Sequence, residues 1–141
     1  SKEVVQLELG DQMMSLGYSV LIIEDDPEIQ EIYSLVFEMN QEWRIVKQCT
    51  NGFSAVAHYL SCQEKPSVVI IDFQLEGCTG LEVAQFILNI NPLQKIVFVT
   101  ASTDKLRQQI KHNSDLSRVP ILVKPFRLTK LINLLKNLSP G

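Results

Sequence analysis

Three observations predict an α/β fold with a parallel sheet and helices on both of its faces. Short β-branched runs of four to six residues alternate with amphipathic stretches of ten or more, the pattern of repeated βα units. The runs Val20–Ile23, Val68–Ile71 and Ile96–Val99 are apolar without a break, as strands buried on both faces must be. Four runs are followed directly by a residue able to do chemistry: Glu24, Asp72, Thr100 (ending the run itself) and Lys124.

Strands are expected near residues 19–24, 44–49, 67–72, 95–100 and 120–123. The first helix should begin at Pro27, because Asp26 suits an N-cap and proline suits the first helical position. Its apolar face is expected to be Ile29, Ile32, Tyr33, Val36 and Phe37. Asn51-Gly52 marks the turn into a second helix through Phe53, Val56, Ala57 and Leu60. A third runs from Leu81 to about Ile90, where Asn91-Pro92 stops it. A fourth, near 104–113, has only Leu106 and Ile110 as apolar anchors. Thr129 is expected to cap a fifth, with Leu131, Ile132, Leu134, Leu135 and Leu138 facing inward before Pro140-Gly141 ends it. Residues 1–17 precede the alternation and read as an N-terminal extension or linker. Val4, Val5, Leu7, Leu9, Met13 and Leu16 also suit an amphipathic helix broken near Gly10, or residues ahead of a start at Met13 or Met14.

At 141 residues, 45% of them hydrophobic, the chain holds one domain with its own core. No apolar run approaches the roughly 20 residues that cross a bilayer, and no basic-then-apolar leader is visible. A soluble, cytoplasmic protein without membrane insertion is expected. Cys49, Cys62 and Cys78 lack metal-site spacing and read as buried thiols in a reducing compartment. His58 and His112 read as surface or boundary residues. Net charge is −3, which argues against direct nucleic-acid binding. The charge is polarised: residues 1–103 carry 5 Lys/Arg against 14 Asp/Glu, while residues 104–141 carry 8 against 2. Solvated helix faces account for most of these charges, and the polarity is also able to steer a partner.

The strand-end residues suit phosphoryl transfer. Magnesium takes oxygen ligands in octahedral geometry and keeps several waters; Glu24, Asp25 and Asp72 offer such oxygens if β-strand ends converge. Crowded carboxylates repel without a cation. Asp72 is then placed as a nucleophile giving an aspartyl phosphate, with Lys124 and the Thr100 hydroxyl contacting phosphoryl oxygens. Gly80 lets the loop after Asp72 turn away before the next helix. Taken singly, Asp72 reads as a loop cap, Thr100 as a strand-end residue and Lys124 as a solvated charge. Asp26 reads as a helix cap with at most a secondary metal role. In this order, the others read together as one site.

The motifs V-L-I-I-E-D-D-P, N-G-x-x-A from Asn51, V-I-I-D-F-Q-L-x-G-x-x-G-L from Val69, V-F-V-T-A-S and V-K-P-F from Val123 resemble the receiver domain of two-component response regulators. The resemblance covers about residues 18–138 and assigns a receiver domain to 18–141. It implies a flavodoxin-like, doubly wound five-stranded sheet of order 2-1-3-4-5 with its site at the carboxyl ends of the strands. It further implies Glu24 and Asp25 as the metal-binding pair, Asp72 as phosphoacceptor and third carboxylate, and the backbone carbonyl of Gln74 as a further Mg2+ ligand. Thr100 resembles the switch hydroxyl and Lys124 the phosphate-binding lysine, with a cis bond to Pro125. The implied phosphodonor is a sensor histidine kinase or phosphotransfer protein. A downstream protein partner is expected on the 100–138 face, the chain itself being a monomer or weak dimer and not a turnover enzyme.

Two positions and one stretch depart from the family pattern. Ile121 stands where many receivers carry Tyr or Phe, so the usual coupling through an inward-turning ring lacks its ring. Glu76 replaces a frequent proline, and 113–119 lacks a common Gly-Ala pair, which predicts an irregular fourth helix and loop. Two other functions fit these residues less well. A haloacid-dehalogenase-like phosphatase needs a second Asp two positions after the nucleophile, where this chain has Gln74. A phosphorylation-independent binding platform sits badly with an intact acidic pair, Asp72 and Lys124.

Overall fold

The computed structural model describes residues 17–138. Five strands, β1 (Tyr18–Ile23), β2 (Trp43–Cys49), β3 (Val68–Asp72), β4 (Lys95–Thr100) and β5 (Ile121–Val123), alternate with five helices. The helices are α1 (Pro27–Met39), α2 (Gly52–Ser61), α3 (Gly80–Ile90), α4 (Thr103–Ile110) and α5 (Leu128–Leu138). Every strand pair is parallel and the order is β2-β1-β3-β4-β5. This is the doubly wound sheet that the motifs implied.

Strand alternation decides which layer each side chain joins. Leu21, Ile23, Val69, Ile71 and Phe98 form one core with α2, α3 and α4. Val20, Ile22, Ile70, Val97 and Leu122 form the other with α1 and α5. The chain leaves β1 for β2 through α1 on one face and leaves β3 for β4 through α3 on the opposite face. Loops at the carboxyl ends of β1 and β3 therefore part in opposite directions, leaving a crevice between them.

The helix starts follow their caps. Asp26 accepts a hydrogen bond from the Glu28 N–H at 2.9 Å, with Pro27 leading α1. Asn51 accepts from Ser54 N–H at 2.8 Å at the start of α2. A reciprocal pair, Thr79 and Glu82, caps α3.

Several sequence expectations need correction. Ile32 is 47% exposed; the buried face of α1 is Gln30, Tyr33, Val36 and Phe37, a helical stripe that turns Ile32 outward. Phe53 and Leu60 are likewise exposed at 70% and 58%, because α2 buries Ala55 and Tyr59 instead. Thr129 lies inside α5, which begins at Leu128. The fourth helix stops at Ile110, and the turns that follow bury Leu116 while the Asn113 side chain accepts from the N–H groups of Asp115 and Leu116. That segment is irregular, as expected. Cys49 is buried but Cys62 and Cys78 are only half-buried, and all three are free thiols. His58 is half-buried and His112 exposed. The amphipathic reading of residues before Gly17, and the stop at Pro140-Gly141, lie outside the described residues. No helix among the described residues is long and apolar enough to cross a membrane.

Candidate functional site

The crevice at the ends of β1 and β3 gathers the acidic residues. Glu24 follows β1 and is 1% exposed, Asp72 ends β3 at 6%, and Asp25 is half-buried beside them. One carboxylate oxygen from each lies within 4.8 Å of the others. Lys124, just past β5, enters from the other side: its Nζ lies 3.0 Å from Glu24 Oε1 and 3.1 Å from Asp72 Oδ2. The first hydrogen bond after each strand keeps these ends in register. Lys124 N–H donates to the Thr100 carbonyl at 2.8 Å, and Phe73 N–H to that of Val99 at 2.8 Å.

One ammonium serving two carboxylates cannot neutralise both. Burial pushes the Glu24 carboxyl up to about 7 from its ordinary 4.5, and its hydrogen bond with Asp72 pushes the same way. The Asp26 N–H, which donates to Glu24 Oε2 at 3.1 Å, and the Lys124 ammonium pull back without prevailing. At Lys124 burial favours the neutral amine, but the hydrogen bonds to Glu24 and Asp72 outweigh it and hold the ammonium charged above its ordinary range. With every group ionised, three carboxylates against one ammonium leave two negative charges.

The donor set fits a magnesium ion on chemistry and spacing. All three side chains offer oxygen, the excess charge is that of a divalent cation, and bonds of about 2.1 Å put octahedral donors about 3 to 4 Å apart. The 4.8 Å spread therefore needs only a small closure or intervening waters.

The remaining predicted residues are all near this edge, with different roles on view. Gln74 contributes its backbone N–H, donated to Asp72 Oδ1 at 3.0 Å. The Thr100 hydroxyl is 1% exposed and engaged with the next loop, donating to the Ser102 carbonyl and accepting from the Ser102 N–H, each at 3.1 Å. The Lys124–Pro125 bond is cis. Gly80 acts by close approach: a Cβ there would collide with the Asp72 carbonyl oxygen and lie 2.8 Å from Phe73 Cα. The turn itself is made at Gly77, whose φ of 84° only glycine adopts readily. Ile121 is half-buried against the α2–α3–α4 core. Glu76 is exposed on the loop.

Sequence reasoning missed Gln30. Its side-chain amide is buried and donates to the carbonyls of Glu24 at 2.8 Å and Cys49 at 3.1 Å. The signal was a polar residue three positions before Tyr33 on the inward stripe of α1, where apolar periodicity gives no weight to glutamine.

Comparison with known proteins finds the response regulator receiver domain model matching residues 20–136. Sporulation initiation phosphotransferase F of Bacillus subtilis is 24% identical over 125 residues, which cover 89% of this chain and 96% of that protein. A probable C4-dicarboxylate response regulator, DctR of Priestia megaterium, is 27% identical over 84% of this chain, which spans only 50% of that relative's length. Among solved structures, response regulator TrrA of Thermotoga maritima in complex with Mg2+ and BeF superposes with a TM-score of 0.67 at 27% identity, covering 86% of this chain and 98% of that one.

Proposed function

The chain belongs to the response regulator receiver family of two-component signalling, and on that premise we propose that it accepts a phosphoryl group on Asp72. The observation that carries this reading is the Lys124 ammonium set between Glu24 and Asp72 at the mouth of a buried acidic cluster. The receiver unit is assigned to residues 18–141, with 1–17 as an extension or linker; the family match over 20–136 supports that division.

Glu24, Asp25, Asp72 and the Gln74 backbone carbonyl would hold Mg2+. When bound, the ion offsets the carboxylate charge and lets an anionic phosphoryl group approach. An Asp72 oxygen attacks phosphorus of a phosphohistidine on a sensor kinase or phosphotransfer protein. The new O–P bond forms as the P–N bond breaks, and its electron pair returns to the imidazole, which takes a proton from solvent. Lys124 shifts from the carboxylates to a phosphoryl oxygen. The Thr100 hydroxyl exchanges the Ser102 carbonyl for another phosphoryl oxygen, which loosens the loop into α4, a helix anchored by Leu106 and Ile110. This population shift remodels the 100–138 face. Lys105, Arg107 and Lys111 are exposed there and suit an acidic protein partner. Reversing their charges should weaken that partner's binding; unchanged, salt-insensitive binding would remove it from this face.

On this reading the chain is a signalling module, not a turnover enzyme: position 74, where the phosphatase chemistry needs an acid, carries Gln. Its three free thiols suit a cytoplasmic setting. Incubation with Mg2+ and a small phosphodonor should add one phosphoryl group, stable in acid and removed by hydroxylamine. The gain should vanish in Asp72→Asn and with chelator. Steady turnover of a generic phosphate ester would favour the hydrolase instead.

A further inference from the structure

The Glu24 carbonyl is left over by the sheet. Pairing of β1 with β2 ends at Ile23 and Cys49, and pairing with β3 ends at Ile23 and Ile71. Beyond that point Glu24 N–H still donates to the Cys49 carbonyl at 2.9 Å, but the chain is already turning into α1. A buried carbonyl without a donor is costly. The donor that reaches it is the Gln30 amide, whose –NH2 group spans the Glu24 and Cys49 carbonyls together. A planar amide has two N–H donors, which is what holding two carbonyls at once requires.

Gln30 is itself fixed from three directions. Its backbone N–H donates to the Asp26 carbonyl at 3.0 Å. Its backbone carbonyl accepts from Gln48 Nε2 at 2.9 Å and from Ser34 Oγ at 3.1 Å. The side chain is thus a short brace between α1 and the ends of two strands, applied at the main chain of a residue whose carboxylate lies in the acidic cluster.

Resting on the receiver reading above, we infer that Gln30 is a positioning residue for metal binding, holding Glu24 and Asp25 in place relative to Asp72 through the Glu24 backbone. Residues that orient metal ligands without touching the ion typically change affinity by about tenfold to a hundredfold when lost.

The test measures Mg2+ half-saturation by calorimetry, alongside the phosphorylation rate at saturating Mg2+, in the full chain. Gln30→Met keeps length and apolar packing but removes both donors. Gln30→Asn keeps the donors and withdraws them by one methylene. Ser34→Ala, which removes hydroxyl contacts to the Gln30 backbone carbonyl and the Gln48 side chain but none to the Glu24 or Cys49 carbonyls, is the comparison. Both Gln30 variants should fold and need about tenfold more Mg2+, while Ser34→Ala stays within about twofold of wild type. Half-saturation unchanged in folded Gln30→Met, or an equal loss in Ser34→Ala, overturns the inference while the receiver reading stands. Failure of both Gln30 variants to fold overturns it too, since the residue would then serve stability alone. Wild-type protein that takes up no Mg2+ overturns the metal reading first and this inference with it.

Discussion

Replacing Glu24 by Gln should flatten part of the pH dependence of stability. In the metal-free fold Glu24 titrates at about 7, against an ordinary 4.5. A pKa raised by folding means that the folded state holds the proton more tightly than the unfolded chain does. The resulting stabilisation is complete below pH 4.5 and is lost as pH rises through about 7. A difference of this size corresponds to about 3 kcal/mol, a large share of a small domain's stability. Glutamine keeps the shape and cannot ionise. Urea denaturation of wild type and Glu24→Gln, with chelator present, across pH 4.5 to 8, measures the effect. Groups remote from the cluster contribute alike in both proteins and cancel in the difference. The variant should gain on wild type by up to about 3 kcal/mol between the acid and neutral ends. Mg2+ added at neutral pH should stabilise wild type and leave the variant nearly unmoved. A stability difference that stays constant with pH would refute the burial-driven shift and the crowding of the cluster behind it.

Lys124→Ala should abolish phosphorylation and destabilise the metal-free fold by about 2 kcal/mol, because two buried carboxylates lose their only salt bridges among the described residues and the partly exposed lysine discounts the loss. Denaturant titration at neutral pH checks it, and an unchanged midpoint would count against the pairing. Gly80→Ala should cost about 2 to 3 kcal/mol, since the added methyl meets backbone of Asp72 and Phe73 that cannot swing aside; a wild-type melting temperature would contradict the close approach. Tyr33→Phe should lie within about 1 kcal/mol of wild type or above it, because the buried Tyr33 hydroxyl has no hydrogen-bond partner among the described residues. A clear loss of stability would show that the hydroxyl is in fact bonded.

The strands were legible because strands buried on both faces read as unbroken apolar runs, and Val68–Ile71 and Val20–Ile23 do so. The acidic cluster was legible for a related reason: Glu24 and Asp72 come directly at strand ends, and a parallel sheet brings those ends to one edge. Helix rotation was harder. Ile32 and Phe53 are as apolar as their buried neighbours, and only tertiary packing chooses Gln30 and Ala55 for the inside. The partner of a hydroxyl was also beyond reach, since nothing in V-F-V-T-A-S says that Thr100 bonds the Ser102 backbone. The two glycines show the same limit. Both Gly77 and Gly80 mark the loop, but backbone geometry alone separates the left-handed turn at one from the close contact at the other.

In the proposed reaction a single carboxylate, that of Asp72, accepts the phosphoryl group. Borohydride reduction of the phosphorylated protein converts an aspartyl phosphate to homoserine, which peptide mass spectrometry locates. Homoserine at position 72, dependent on Mg2+ and absent from Asp72→Asn, is the predicted result. A reduced residue at position 24 or 25, or none after exposure to phosphodonor and Mg2+, would contradict it.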